Sequence, residues 1–383
     1  MLSCVARLQL RRSLPSVISQ KKRIQVEVIL ASEFADSIPG LLGVYSIDVS
    51  LVAPTQPLRR LCVLKSVTDM RNEIVYMLID PPPELGTYRL LFDVTRNDST
   101  KDIDTIVLPL LTDTFEIVEK EISGSMRSMP SLYSWRLVGD LQILEEYGKT
   151  LGSHIYDSSI IMLQYLMKSL HDFNTRRVAV ELGSGCGLLS IWLSKYYAAV
   201  LATDKSYQLP LIRENIKCNE REQNCFVKDL DWVEWSRSDI KTSALTILQE
   251  LHQMNSALSS EKASLVIPPV EHVHKANGGA TSKCDEGGSD SSISQSTPST
   301  ADVDLIIGAD VLYDRSVADA FFNVVRDLAS AGKTTILIAQ KIRRSDREGG
   351  NSLERVDVRS VEGFSATEVA CEANVVIWSM IKL

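Results

Sequence analysis

The chain has 383 residues, 44% of them hydrophobic, and a formal net charge of −8. That length allows two domains, or one large domain with insertions. The acidic balance disfavours broad nucleic-acid binding, which leaves a basic footprint, and no run of about 18 apolar residues is present to cross a membrane as a helix. Seven cysteines lie scattered at Cys4, Cys62, Cys186, Cys218, Cys225, Cys284 and Cys371. With no CxxC pair and no His/Cys cluster at zinc spacing, no metal site is expected, and the thiols read as reduced and intracellular.

The stretch before Glu27 carries Arg7, Arg11, Arg12, Lys21, Lys22 and Arg23 and no acid. Such a start can be a mitochondrial transit peptide. The period of two in Leu8 and Leu10, continued by Ile24, Val26 and Val28, favours a basic first strand instead. Residues 24 to about 120 read as β-rich. The apolar or alternating runs are Gln25–Leu30, Gly43–Val52, Leu61–Lys65, Glu73–Ile79, Thr87–Val94 and Asp104–Leu108. Pro39-Gly40, Pro54, Pro81-Pro82-Pro83 and Asn97-Asp98 punctuate them. Short strands at this spacing predict a small sandwich or barrel. No catalytic constellation falls within it, so residues 1–130 are expected to form an interaction or structural module.

Residues 121–155 read as a polar connector containing Trp135 and Ile143-Leu144-Glu145-Glu146. Asp157 or Ser158 is placed to cap the helix that follows, whose apolar face is Ile160, Leu163, Met167 and Leu170. His154 reads as a surface or capping residue.

Residues 178–187 are more informative. Val178, Val180 and Leu182 make a short apolar strand, broken by Gly183, Gly185 and Gly187, and an apolar helix from Leu188 to Tyr197 follows. Strand, glycine turn and helix form the first half of a nucleotide-binding βαβ unit. A dinucleotide fingerprint needs its third glycine five residues after the first; Leu188 stands there, and the third glycine comes one residue early. An acid, Glu181, sits within the strand. The second strand, Ala198–Thr203, leads to Asp204, about 20 residues past the first glycine, the distance at which an acid meets ribose hydroxyls. Cys186, inside the turn, reads as a small filler rather than a nucleophile.

Gln208–Cys218 reads as the next helix and Cys225–Lys228 as a third strand, leading to Asp229-Leu230-Asp231-Trp232. Ile240–Leu258 looks helical. Residues 277–301 are of low complexity, within an insertion at about 259–301 expected to be disordered. Val303–Ala309 is a nearly all-apolar fourth strand ending in Asp310-Val311-Leu312-Tyr313, followed by a helix over 317–329. Thr335–Ala339 is a fifth strand, and Thr367–Ala370 with Val375–Lys382 can close the sheet.

The glycine turn with Glu181 and Asp204 resembles motif I of class I S-adenosylmethionine-dependent methyltransferases. From Gly152 onward the chain resembles the seven-β-strand protein-lysine methyltransferases of the family-16 (methyltransferase-like 21/22) group. The signatures come in order. Gly152 with Ile155-Tyr156-Asp157-Ser158-Ser159-Ile160 resembles the family's Gly…Val-Trp-Asp-Ala-Ala element, with Tyr156 in place of the usual Trp. Glu181-Leu182-Gly183-Ser184-Gly185-Cys186-Gly187-Leu188 is similar to its motif I, Thr203-Asp204 to its ribose step, and Leu230-Asp231-Trp232 to its Leu-Asp-Trp step. Asp310-Val311-Leu312-Tyr313 is similar to its Asp/Glu-x-x-Tyr/Phe signature, and Gln340-Lys341-Ile342-Arg343-Arg344 with Gly363-Phe364 to its C-terminal pattern. Gly349-Gly350 departs from it.

The resemblance implies a Rossmann-like seven-stranded methyltransferase sheet over residues 131–383, an α/β domain preceded by the smaller β-rich one. It implies S-adenosyl-L-methionine as cofactor, held by Tyr156, Glu181, Gly183, Gly185, Asp204, Asp231, Trp232 and Ala309. Glu181 and the glycine backbone would hold the methionine portion, Asp204 the ribose, and Asp231 and Trp232 would flank the adenine. Asp310 and Tyr313 would be the catalytic pair, orienting a lysine amine. The partner would be a protein such as an elongation factor or chaperone, in the cytoplasm and also open to the nucleus, with neither a membrane nor a nucleic acid as partner. Alternatives are a methyltransferase of RNA or a small amine, and a non-catalytic scaffold. Structural alternatives also stand: Asp310 as a helix cap, Trp232 and Tyr313 as packing residues.

Overall fold

The computed structural model describes residues 4–31, 45–55, 58–67, 74–96, 105–119, 133–146, 149–169, 178–235, 303–342 and 356–383. The insertion at 259–301, the helix expected over 240–258, and Arg343, Arg344, Gly349 and Gly350 lie outside the described residues.

Strands with one apolar face must bury it against another layer. Twelve N-terminal strands do so: β1 (Cys4–Leu10), β2 (Val17–Ser19), β3 (Ile24–Ala31), β4 (Tyr45–Ala53), β5 (Arg59–Val67), β6 (Ile74–Ile79), β7 (Gly86–Arg96), β8 (Thr105–Leu108), β9 (Leu110–Leu111), β10 (Phe115–Val118), β11 (Tyr133–Val138) and β12 (Leu141–Glu146). One sheet has the order β6-β3-β1-β8. The other runs β12-β11-β9-β7-β10-β2, with β4 pairing both β7 and β5. Ala6, Leu8, Val26, Val28 and Met77 of the first meet Ile47, Val49, Leu90, Phe92 and Phe115 of the second in one core. The module is therefore a sandwich, and of the basic residues before Glu27, Arg7 lies in its strand β1.

Two expectations fail here. Residues 133–146 are a β-hairpin, not a polar connector; β11 pairs β9 and so joins the N-terminal sheet. The hairpin also faces the other way, with Leu141 and Ile143 in the core of the C-terminal region. Neither Asp157 nor Ser158 caps the following helix, α1 (Asp157–Lys168): its N-cap is Tyr156, and both residues are buried in its first turn.

The C-terminal region alternates strand and helix: β13 (Val178–Leu182), α2 (Leu188–Leu193), β14 (Ala199–Asp204), α3 (Leu209–Cys218), β15 (Cys225–Asp229), α4 (Trp232–Trp235), β16 (Leu305–Ala309), α5 (Arg315–Leu328), β17 (Thr335–Lys341), β18 (Phe364–Glu372) and β19 (Val375–Lys382). The sheet order is β15-β14-β13-β16-β17-β19-β18. The first five are parallel, and β19 runs antiparallel between β17 and β18. Ala179, Val200, Ala202, Leu305 and Ile307 pack with residues of α1, α2 and α3. Val178, Val180, Leu182, Ile306 and Ile336 pack with those of α5. Both faces are covered, which is why these strands read as unbroken apolar runs. The order reverses between β13 and β16, and in such a sheet a ligand binds at the carboxyl ends of the strands flanking that switch.

Candidate active site

The glycine turn sits at that switch. Gly183 (φ 74°) and Gly185 (φ 56°) take left-handed backbone, where a Cβ is strained. Four of the turn's amides are spent within the chain. The Gly183 and Ser184 N–H groups donate to the Thr203 carbonyl at 3.0 and 2.9 Å, and the Gly187 N–H to Ser184 at 2.7 Å. The Gly185 N–H donates to Asp204 Oδ2 at 2.8 Å. A pyrophosphate cradle needs those donors free. One amide of the first turn of α2 is taken as well: Glu181 Oε2 accepts from the Ser190 N–H at 2.9 Å and the Ser190 hydroxyl at 2.5 Å. A carboxylate thus stands where dinucleotide folds receive phosphate, so the turn suits a ligand carrying positive charge.

Burial pushes the Glu181 carboxyl up to about 7, against the bonds from Ser190 that favour its ionised form. Burial also raises Asp204, opposed by its two backbone amides. In the unfolded chain Glu181 returns to its usual 4.5. Its stabilising contribution is therefore full below 4.5 and is lost as pH rises through 7, a swing of at most about 3 kcal/mol. Denaturant unfolding of the ligand-free protein at pH 5 and pH 8 should show this loss in the wild type, and Glu181→Gln should lack it. Parallel pH profiles for the two proteins would contradict the buried protonated state.

Asp204 has room for a ligand. Oδ2 accepts from Gly185 and Oδ1 from the Lys205 N–H at 2.8 Å; an ionised carboxylate takes about four such bonds, which leaves acceptors for two hydroxyls. Lys205 turns back to Asp231, Nζ to Oδ2 3.2 Å. Asp231 Oδ1 accepts from Val233 N–H at 2.9 Å and caps α4. Burial works against the Asp231 carboxylate, but Lys205 and the amides outweigh it and hold its pKa below the usual range. The Trp232 indole packs edge-on to Phe321, ring centroids 5.3 Å apart, and lies so close to Gly183 that a Cβ there would stand 3.1 Å from its ring.

Across the switch, Ala309 ends β16, in register with Ala339 of β17. Asp310 follows in left-handed backbone (φ 58°), its N–H donating to the Ala339 carbonyl at 2.8 Å. Gln340 braces it, Nε2 donating to Asp310 Oδ1 at 3.2 Å and Oε1 accepting from the Leu312 N–H at 3.2 Å. α5 begins only at Arg315, so Asp310 is not its cap. Tyr313 is 46% exposed; burial raises its phenol, and it lies within the fields of Lys205, Tyr207 and Asp204. Gly183, Asp204, Asp231, Trp232, Asp310 and Tyr313 thus all lie at or just beyond the carboxyl ends of neighbouring strands.

Tyr156 lies on the segment whose Gly152 packs against the glycine turn. Its hydroxyl donates to the Leu151 carbonyl at 2.7 Å and its ring stands 4.7 Å from His154. The Gly152 carbonyl accepts from Gln208 Nε2 at 3.0 Å, and the same amide donates to the Gly185 carbonyl at 3.0 Å. Cys186 is buried under this segment with its thiol raised by burial, as befits a filler. Gln208 and Lys205 are site residues that motif reading misses, and Gln340, although within a recognised signature, carried no assigned role; each acts through a contact distant in sequence. Among the described residues no group of three or more His, Cys, Asp or Glu side chains could hold a metal ion, and no helix is long and apolar enough to cross a membrane.

Comparison with known proteins bears on this site. A stretch of 87 residues is 30% identical to EEF1A lysine methyltransferase 3 of Xenopus tropicalis, covering 22% of this chain and 38% of that protein. A stretch of 127 residues is 24% identical to UPF0665 family protein C23C4.06c of Schizosaccharomyces pombe, covering 30% and 37%. The matches thus span under two-fifths of these curated relatives. An O-methyltransferase family protein from Burkholderia thailandensis superposes with a TM-score of 0.35 at 11% identity, over 58% of this chain and 57% of that one. The family model described as lysine methyltransferase matches residues 138–251 and 290–351, which hold the glycine turn, Asp204, Asp231, Trp232, Asp310 and Tyr313, so over those residues the chain is similar to the lysine methyltransferase family.

Proposed function

We propose that this chain is an S-adenosylmethionine-dependent protein-lysine N-methyltransferase. The observation that carries the reading is the glycine turn, four of its amides spent internally and the Glu181 carboxylate of β13 bonded to the first turn of its helix, within a region that matches the lysine methyltransferase family. When bound, the cofactor supplies a methyl group on a sulfonium. The residues present fit it: Asp204 has acceptors left for ribose hydroxyls, Asp231 and Trp232 would flank the adenine, and Glu181 and the glycine backbone would hold the methionine portion. Tyr156 and Ala309 would line the cleft.

The chain's own task is alignment. In-line displacement gains much of its rate from orientation. Asp310, fixed by Gln340, would accept an N–H of the incoming lysine, and the half-exposed Tyr313 ring would hold the ammonium before it loses its proton. A cation in the cleft disfavours a second one, which helps keep the amine neutral. The substrate would be a protein, an elongation factor being the class suggested by the frog relative's name, and the setting the cytoplasm. The net charge of −8 disfavours RNA. The test is transfer of labelled methyl from S-adenosylmethionine by the purified chain to cell lysate, with acid hydrolysis of the products. Methyl-lysine in protein is the expected result; label in RNA alone would overturn it.

A further inference from the structure

Strands β1–β10 of the sandwich lie outside the family match, yet the sandwich reaches the segment that packs on the glycine turn. Arg7 of β1 is 1% exposed. Its Nη2 donates to the Ile155 carbonyl at 2.6 Å and meets Asp157 Oδ1 at 3.2 Å. The other carboxylate oxygen of Asp157 takes Lys341 Nζ, from the end of β17, at 2.5 Å. The Ile155 N–H is held as well: it donates to Glu145 Oε1 at 2.8 Å. Glu145 pairs in turn with Arg136 Nε at 2.6 Å, and Arg136 Nη1 donates to the Leu8 carbonyl of β1. Both backbone groups of Ile155 are thus fixed by buried charges of the sandwich and its hairpin. Three residues earlier, the Gly152 carbonyl lies so close to Gly185 that a Cβ there would stand 2.9 Å from it.

Buried ion pairs add little net stability over apolar packing, while removal of one partner is costly. Arg7 and Glu145, both buried, meet residues 155–157 directly, Arg136 backs Glu145 and Lys341 holds Asp157, so these charges fix a position more than they stabilise a core. We propose that Arg7 is a positioning residue for the donor site, and that the N-terminal sandwich completes that site by fixing residues 152–157 against the glycine turn. This rests on the methyltransferase reading above and deepens it.

The test titrates full-length wild type, Arg7→Met, Arg7→Lys and the surface control Arg23→Met with S-adenosylhomocysteine by calorimetry, and follows amide exchange of the ligand-free proteins. Arg7→Met should bind about tenfold more weakly, in the range expected for a residue coupled to a site without touching it. The 152–157 amides should exchange faster while those of β13 and β14 keep their protection. Arg7→Lys should recover part of the affinity, Arg23→Met should match the wild type, and the methylation kinetics of Arg7→Met should show a raised KM for the donor with kcat kept. If Arg7→Met fails to fold, Arg7→Lys decides, with an intermediate Kd expected. Wild-type affinity in the folded Arg7 variants, or exchange that rises evenly across the chain, would overturn the proposal and leave the methyltransferase reading standing. A wild type that does not bind would sink that reading instead.

Discussion

Gly185→Ala should weaken S-adenosylhomocysteine binding by about a hundredfold, since roughly 1 Å of misplacement at an aligned site has that effect. The reason is local and steric. Gly185 has φ 56° and a Cβ there would lie 2.9 Å from the Gly152 carbonyl oxygen. An alanine in left-handed backbone costs about 1–2 kcal/mol, and the clash comes on top. The carbonyl cannot step aside freely, because the Gln208 side chain holds it. The turn must open instead, and opening it pulls the Gly185 N–H off Asp204, the residue assigned to the ribose. Denaturant unfolding should show a loss of about 3 kcal/mol, as for a substitution that forces backbone strain into a packed site. Gly139 supplies the control: its φ is 62° but nothing lies within 4 Å of its Cβ position. Gly139→Ala should lose only the strain and leave binding unchanged. Equal binding losses in both variants would contradict the steric account.

Asp310→Asn should lower kcat for methyl transfer about a hundredfold, the low end of what a positioned acid–base group contributes, while the S-adenosylhomocysteine Kd stays within about twofold, the pattern of an interaction made in the transition state alone. Asparagine tolerates left-handed backbone as aspartate does, so φ 58° does not forbid it. Its carbonyl oxygen can still accept from Gln340 Nε2. The substitution therefore keeps the loop and removes the charge that would face the lysine amine. Unchanged kcat would reduce Asp310 to a backbone role. A fall in donor affinity equal to the fall in kcat would place it on the cofactor.

The C-terminal region was legible because both of its sheet faces are covered. Val178–Leu182 and Leu305–Ala309 are wholly or almost wholly buried, and such strands show as apolar runs bounded by glycine or acid. The glycine spacing also carried its meaning into three dimensions, since four of the turn's amides close on Thr203, Ser184 and Asp204. The hairpin β11–β12 was hidden for a physical reason. Arg136 and Glu145 point inward, both 0% exposed, and satisfy each other across the pair. A pattern search scores such residues as surface and reads the segment as connector. Asp157 misled in the same way: by spacing it resembles a cap, but its partners are Arg7 and Lys341, 150 and 184 residues away. Gln340 and Gln208 belong to the same class. Their roles follow from which strands and loops the fold brings side by side, and no local window contains that information.

The central claim, a cationic methyl donor on the glycine turn rather than a dinucleotide, comes down to one calorimetric titration. Wild type and Asp204→Ala are each titrated with S-adenosylmethionine and with NAD. The account predicts S-adenosylmethionine binding at one per chain, weakened about thirtyfold in Asp204→Ala by the loss of charge-assisted bonds to two hydroxyls, and no heat from NAD. Binding of NAD, or no binding of S-adenosylmethionine by the folded wild type, would contradict it.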